Sequence, residues 1–382
     1  MGVILGLETS CDETAAALVR DGRAVLGQAV ASQHDLHARY GGVVPELASR
    51  AHVERLTPVV RAALDQAGLR IGQVDAVAVG HRPGLVGSLV VGVSAAKALA
   101  WRLGVPLVGV DHVRAHLYAP RLHEAGEAEP PASQTDAEVY PALGLVVSGG
   151  HTSLYRVDSA LEMLRLGKTI DDAAGEAFDK AAVMLGLGFP GGPNLDRLAE
   201  SGDPSAETLP RSLLGPDSLD FSFSGLKTAM LYRVCGRPER GVRFGGAQQI
   251  AQAAAGLGDR ERADLAASFR DAVVDVLARK LVRAAEALRA EGVGLKSIVV
   301  GGGVSANRAL RRRLPETATR LGLGLHVAPM AYCVDNAAMI AGLAQARLDA
   351  GQCDDLGLSV AASGVDAIGT AGAAGTPDSA PG

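Results

Sequence analysis

An α/β protein with two similar lobes facing each other across a cleft is the fold that the sequence predicts, and three observations carry it. A strand–polar turn–strand pattern is written twice. A strand–glycine turn–helix–strand pattern follows each copy. The 48 glycines in 382 residues exceed the ~7% of an average chain, which supplies tight turns and close backbone approaches.

In the first half, residues 3–7 and 15–19 are apolar runs of strand length on either side of the polar turn Glu8-Thr9-Ser10-Cys11-Asp12-Glu13-Thr14, so a hairpin is expected. In the second half, residues 142–147 and 153–157 flank Ser148-Gly149-Gly150-His151-Thr152 in the same way. A strand at 74–79, a glycine-containing turn at 80–87, a small-residue helix at 94–103 and a strand at 105–110 then follow the first hairpin. Their counterparts are a strand at 297–300, the turn Gly301-Gly302-Gly303, a helix at 307–314 and a strand at 323–328. Between the halves' elements, residues 260–288 space Leu265, Phe269, Val273, Val276, Leu277 and Leu281 by helical periods, an amphipathic helix with a solvated charged face.

These elements divide the chain into an N-terminal lobe, 1–118, a connecting segment with a variable insert, 119–141, a C-terminal lobe with inserted helices, 142–356, and a flexible Gly/Ala-rich tail, 357–382. The formal net charge of -5 argues against coating nucleic acid by bulk electrostatics and leaves room only for local basic clusters such as Arg311-Arg312-Arg313, which is otherwise a solvated helix face. Cys11, Cys235, Cys333 and Cys353 lie far apart with no C-x-x-C pair, which fits a reduced cytoplasmic setting rather than a zinc knuckle or a disulfide framework. The apolar start meets Glu8 at once, and the longest uncharged stretch, 83–96, ends at Lys97, short of the ~20 residues of a membrane span. No membrane partner is expected.

Several motifs carry chemistry. The two polar turns offer hydroxyls and closely spaced N–H groups to an anion; a Gly-rich hairpin turn without a ligand is the plainer alternative. Residues 301–307 add a glycine turn and a helix start suited to a nucleotide, with neither Walker A nor G-x-G-x-x-G present. His112 and His116, at i and i+4, share one helix face, either as a metal pair or as partly exposed helix histidines. In the duplicated pattern Asp335 follows its strand as His112 follows its own, so both point at the cleft; two imidazoles and a carboxylate suit zinc or ferrous iron better than magnesium. Asp12-Glu13 lies in the cleft-facing turn, whereas Asp171-Asp172 reads as a cap.

Long motifs then converge on one family. GLETSCDET from Gly6, YGGVVPELASRAHVE from Tyr40, HVRAH from His112, LVVSGGHT from Leu145, IDDAAGEAFDKAA from Ile170, FPGGP from Phe189, LDFSFSGLKTA from Leu219, GGGVSANRAL from Gly301 and CVDNAAMIA from Cys333 resemble the TsaD family of tRNA threonylcarbamoyladenosine transferases, formerly labelled O-sialoglycoprotein endopeptidases. The resemblance spans residues 3 to about 358. It implies the duplicated actin/Hsp70/sugar-kinase fold (ASKHA), and transfer of threonylcarbamoyl from threonylcarbamoyl-adenylate to N6 of the adenosine beside the anticodon in tRNAs reading codons that begin with A. It implies one divalent metal per chain, Fe(2+) before Zn(2+), on His112, His116 and Asp335, and adenylate on Val146, Val147, Ser148, Gly149, Gly150, Asp179, Gly192 and Asn307. An inactive paralogous subunit and a small ATPase, TsaB- and TsaE-like, are the implied protein partners.

Asp12 or Glu13 is the expected acceptor of the amine proton. One departure from the family pattern is Arg82 in Arg82-Pro83-Gly84-Leu85, where glycine is usual; it either meets a phosphate or points to solvent. A metalloprotease is disfavoured because no glutamate stands between the histidines, and an ATPase or sugar kinase of the same fold because phosphoryl transfer favours magnesium and oxygen ligands. A non-catalytic paralogue would have lost the three metal-ligand candidates.

Overall fold

A computed structural model describes residues 2–38, 40, 42–126, 135–237 and 246–364. Its strands are β1 (Val3–Glu8), β2 (Glu13–Arg20), β3 (Ala24–Ser32), β4 (Ala76–Arg82), β5 (Leu107–Asp111), β6 (His123–Glu124), β7 (Ala142–Val147), β8 (Thr152–Val157), β9 (Met163–Lys168), β10 (Ser297–Gly301) and β11 (Gly324–Val327). One sheet runs β5-β4-β1-β2-β3-β6 and the other β11-β10-β7-β8-β9. In each, three strands form an antiparallel meander and two more add in parallel at its first strand. The five-strand order repeats strand for strand, which is the duplicated actin/Hsp70/sugar-kinase arrangement; β6 is the first sheet's one addition.

Strands β1 and β7 are buried along nearly their whole length because helices cover both faces of each sheet. Leu5, Leu7, Ala16 and Leu18 pack under the helices Pro45–Ala67 and Val86–Leu103, through Leu56, Val59, Val93 and Ala96. The second sheet's corresponding face, through Leu143, Leu145, Ile298 and Val300, packs on the helices Ala174–Met184, Asp259–Ala290 and Arg308–Leu321.

The remaining faces are covered by exchange. The helix His112–Tyr118 leaves β5 of the first sheet and packs Val113 and Leu117 on Ala142, Val146 and Val299 of the second. The helix Ala337–Asp349 follows β11 and packs Ala337, Ala338, Ile340 and Ala341 on Ile4, Ala15, Ala17 and Val19 of the first. Residues 337–349 of the expected C-terminal lobe thus complete the other lobe's core. Both helices need a strand without side-chain bulk beneath them: a Cβ on Gly6 would overlap the carbonyl oxygen of Ala337, and one on Gly301 that of His116.

Three expectations shift in detail. Strand β4 runs on to Arg82, so the helix after it starts at Val86 rather than 94 and the turn shortens. Strands β3 and β9 are additional; half-exposed and interrupted by Gly27 and Gly167, they lack a clean alternation. The start of the expected flexible tail is docked: Leu358 is buried with Leu5 and Leu107, and the Ser359 carbonyl lies 2.9 Å from His81 Nδ1. Residues 365–382, and 127–134 of the insert, lie outside the described residues.

Among the described residues one helix, Val86–Leu103, is by length and composition apolar enough to cross a membrane. Here it buries Leu89, Val93, Ala96 and Ala100 on the first sheet.

Gly6→Ala is expected to lower stability by about 1–3 kcal/mol or more, because the clash is with backbone rather than a flexible side chain. Urea unfolding measures it; a midpoint equal to wild type would show that the helix and sheet separate freely.

Candidate active site

The two exchanged helices bring His112, His116 and Asp335 together. The helix His112–Tyr118 is started by Asp111, whose Oδ1 accepts the N–H groups of Val113 and Arg114 at 3.1 and 3.2 Å. This directs both imidazoles inward, with 3% and 0% of their residues exposed. Asn336 caps the other helix through Met339 N–H and donates to the carbonyls of Tyr332 and Val334, which pins the loop carrying Asp335. Asp335 Oδ1 lies 3.5 Å from His112 Nε2 and 3.2 Å from His116 Nε2.

The donor set fits a divalent cation on two counts. Glu8 Oε2, fully buried, lies 3.0 Å from His112 Nδ1, and Ser10 Oγ lies 3.2 Å away, so Nδ1 is held from behind and Nε2 faces the cluster. His116 is buried, and apart from Asp335 at 3.2 Å its ring nitrogens have no polar partner among the described residues, so it has donor capacity left for an ion. Burial pulls His112 down, but Asp335 and Glu8 override it and push it up to about 10. Burial raises Asp335, and the two histidines outweigh this and hold it well below the usual carboxylate range. Asp335 and Glu8 thus favour the charged form of His112, and the histidines favour charged Asp335, so each depends on its opposite remaining in place.

Beside this cluster, Asp12, Glu13 and His34 form a second group whose donor atoms lie within 4.8 Å of one another. His34 Nε2 is 3.4 Å from Glu13 Oε1 and 3.9 Å from Asp12 Oδ2, and its ring meets Phe189 of the second half edge-on at 5.2 Å. Burial raises Glu13 to about 8; the His34 hydrogen bond works against this, and Asp335 and Asp12 add to it.

The residues expected to hold adenylate lie on the end of β7 with its turn and on three different helices or their caps. Strand β7 delivers Val146 and Val147 to the turn at Ser148, which is closed by Ser148 N–H on the His151 carbonyl at 2.7 Å. The Ser148 and Gly149 carbonyls accept the N–H groups of Gly175 and Glu176. On the same helix, Asp179 Oδ1 accepts Gly192 N–H at 2.9 Å; burial raises this carboxyl, and the Gly192 and Gly191 N–H groups offset part of the rise. Asn307 caps the helix Arg308–Leu321 through Leu310 N–H and donates to Asp196 Oδ1 at 2.9 Å; Asp196 in turn pairs with buried Arg270.

Glycine is required at other positions in the turns than expected. Gly149 and Gly150 have open space around a Cβ and ordinary φ, whereas Gly302, at φ +96°, would overlap the Val147 carbonyl, and Gly175 would press on Ser148 and Gly149.

Glu8, Ser10, His151, Asp196 and Arg270 were not expected at the site. Glu8 and Ser10 are inside the first polar turn, and only the sheet register shows which of its side chains face His112. The His151 ring lies tilted at 6.4 Å from that of His112, and its pKa is pushed down to about 4, chiefly by burial. Arg82 is partly exposed, and its Nε lies 3.7 Å from Asp111 Oδ2. The arginine run is largely engaged within the chain, Arg311 on the Ala328 carbonyl, Arg312 on Glu200 and Arg313 beside Glu316.

Asp171 does not cap the helix that follows it, whose N-cap is Ala173; it accepts from the Ser222 and Ser224 hydroxyls and from Phe223 N–H, at the start of the distant helix Ser224–Cys235. Asp171→Ala should cost about 1–2 kcal/mol. The expected readout is a lower melting temperature with unchanged metal content.

Comparison with known proteins agrees with this architecture. The family model for TsaD, tRNA N6-adenosine threonylcarbamoyltransferase, matches residues 24–342. A tRNA N6-adenosine threonylcarbamoyltransferase of Trichlorobacter lovleyi is 50% identical over 361 residues, 94% of this chain and 96% of the relative. One from Symbiobacterium thermophilum is 50% identical over 359 residues, 94% and 95% of the two chains. Full-length HypF in its phosphate- and nucleotide-bound form shares the fold at TM-score 0.50 and 15% identity, over 90% of this chain and 46% of HypF. On a family match across most of its length and relatives at half identity, the chain belongs to the TsaD family of tRNA N6-adenosine threonylcarbamoyltransferases.

Proposed function

We infer that the protein transfers threonylcarbamoyl from threonylcarbamoyl-adenylate to N6 of the adenosine beside the anticodon, in tRNAs reading codons that begin with A. The observation that carries this reading is the convergence of His112, His116 and Asp335, one set from each half, next to both polar turns. A sugar kinase or ATPase would instead present oxygen ligands to magnesium.

The amine is a weak nucleophile because its lone pair is delocalised into the purine, while the carbamoyl–phosphate mixed anhydride is activated. The chain must therefore position, polarise and accept a proton. A divalent ion on His112, His116 and Asp335, ferrous iron before zinc, would supply charge stabilisation at the carbamoyl oxygen. Adenylate lies along the Ser148-Gly149-Gly150 turn and residues 301–307, with Asp179, Gly192 and Asn307 orienting it. N6 attacks the carbamoyl carbon, the bond to phosphate breaks, AMP departs, and the N6 proton passes to Glu13 or Asp12.

A cytoplasmic setting, an inactive paralogous subunit and a small ATPase belong to the same reading. Incubation with threonylcarbamoyl-adenylate, unmodified tRNA and those partners, followed by nucleoside mass spectrometry, tests it. A mass gain on adenosine supports transfer; nucleoside triphosphate hydrolysis without that gain would favour the kinase or ATPase.

Three outcomes are expected. The His112→Ala, His116→Ala double variant should stay folded and lose stoichiometric metal by elemental analysis; undiminished metal would falsify the assignment. A carboxyl that is protonated cannot accept a proton, so kcat/KM should rise with pH through a limb between the ordinary glutamate value near 4.5 and about 8. His34→Ala removes the hydrogen bond that lowers Glu13 and should move that limb to higher pH, whereas Glu13→Gln should abolish it; an unmoved profile in both would remove Glu13 from the mechanism. With net charge -5 and its arginine run internally engaged, the isolated chain should bind tRNA weakly and lose affinity steeply with salt. Tight, salt-independent binding in a filter assay would contradict this.

A further inference from the structure

Beside the histidine cluster is a cavity of about 240 Å³ whose lining, Gly150 apart, the transfer reaction as derived does not use. Arg114, on the helix His112–Tyr118, lines it. That residue is 5% exposed, yet none of its three guanidinium nitrogens has a hydrogen-bond partner. Asp111, the one carboxylate among the described lining residues, does not meet this need: Oδ1 accepts two helix N–H groups and Oδ2 faces Arg82.

The wall opposite is built from two neighbouring strands. Ser153 and Tyr155 of β8 stand in register with Lys168 and Arg165 of β9, and all four line the cavity. Residues 362–364, held by the docked C-terminal segment, close one side. Arg114 and Lys168 therefore face one already engaged carboxylate among the described lining residues, with hydroxyls from serine and tyrosine beside them.

A buried guanidinium presents five donors in a planar fork, and leaving them unmet is costly, whereas a phosphate or carboxylate satisfies two of them at once. We propose that this cavity is a binding site for a small oxyanion, a phosphate or a carboxylate, seated on the Arg114 guanidinium with Lys168 and Arg165 at its rim. The unmet, buried guanidinium favours an anion over a neutral ligand, and the cavity of about 240 Å³ favours a small molecule over a polymer. Its location beside the histidine cluster leaves two sources: free phosphate, or the carboxylate of the threonylcarbamoyl substrate.

Titration calorimetry on the full chain separates them, with inorganic phosphate and N-carbamoyl-threonine as probes. Arg114→Met, which keeps the length and removes the charge, should weaken binding about tenfold or more, and Arg114→Lys should restore part of it. If N-carbamoyl-threonine binds and phosphate displaces it, the substrate carboxylate is the ligand; if only phosphate binds, the site takes the free anion. If Arg114→Met does not fold, by circular dichroism, the rim variant Arg165→Ala, Lys168→Ala replaces it and should show the same loss. Neither probe binding wild type, or both binding the folded variant equally, would overturn the proposal. The titration needs no turnover, so its outcome is independent of the transferase reading.

Discussion

Close packing of two exchanged helices on glycine-bearing strands is the constraint on which the rest of the structure depends. Each half sends its last helix across to the other's sheet, and each crossing tolerates no Cβ on the strand below, at Gly6 and at Gly301. Neither half can complete its core alone. His112 and His116 lie on one of these helices and Asp335 just before the other, so the packing that joins the lobes also sets the distances among the three.

The same arrangement governs the electrostatics. Burial by itself drives His112 towards neutrality and Asp335 towards protonation, and their mutual proximity, with Glu8 behind His112, reverses both effects. Glu13 illustrates the opposite balance: it is buried near other carboxylates, and one hydrogen bond from His34 is too little to keep it at its ordinary value. Two acidic clusters a short distance apart are therefore held in opposite protonation tendencies, one suited to holding a cation and the other to exchanging a proton.

Much of the site could be read along the chain because its parts are local. The i, i+4 histidines need only a helix, the glycine turns need only their composition, and strand–turn–strand written twice needs only short apolar runs on either side of a polar turn. What escaped that reading shares one character: it depends on neighbours far apart in sequence. Glu8 acts on His112 across 104 positions, and Asn307 is steadied by Asp196 across 111. The arginine run looked like a surface patch until Glu200 and the Ala328 carbonyl were brought beside it. Arg82, exceptional by family pattern, meets an aspartate that the sequence places 29 residues later only because β4 and β5 are adjacent.

Periodicity and turn chemistry, acting over a few residues, were enough to establish the α/β class, the internal duplication and which side chains could bind metal or phosphate. The crossing of the two helices, the docking of residues 357–364 and the isolation of Arg114 came from packing. Burial and sheet register arise only when distant segments meet, and no local pattern encodes which partner a buried charge finds or lacks.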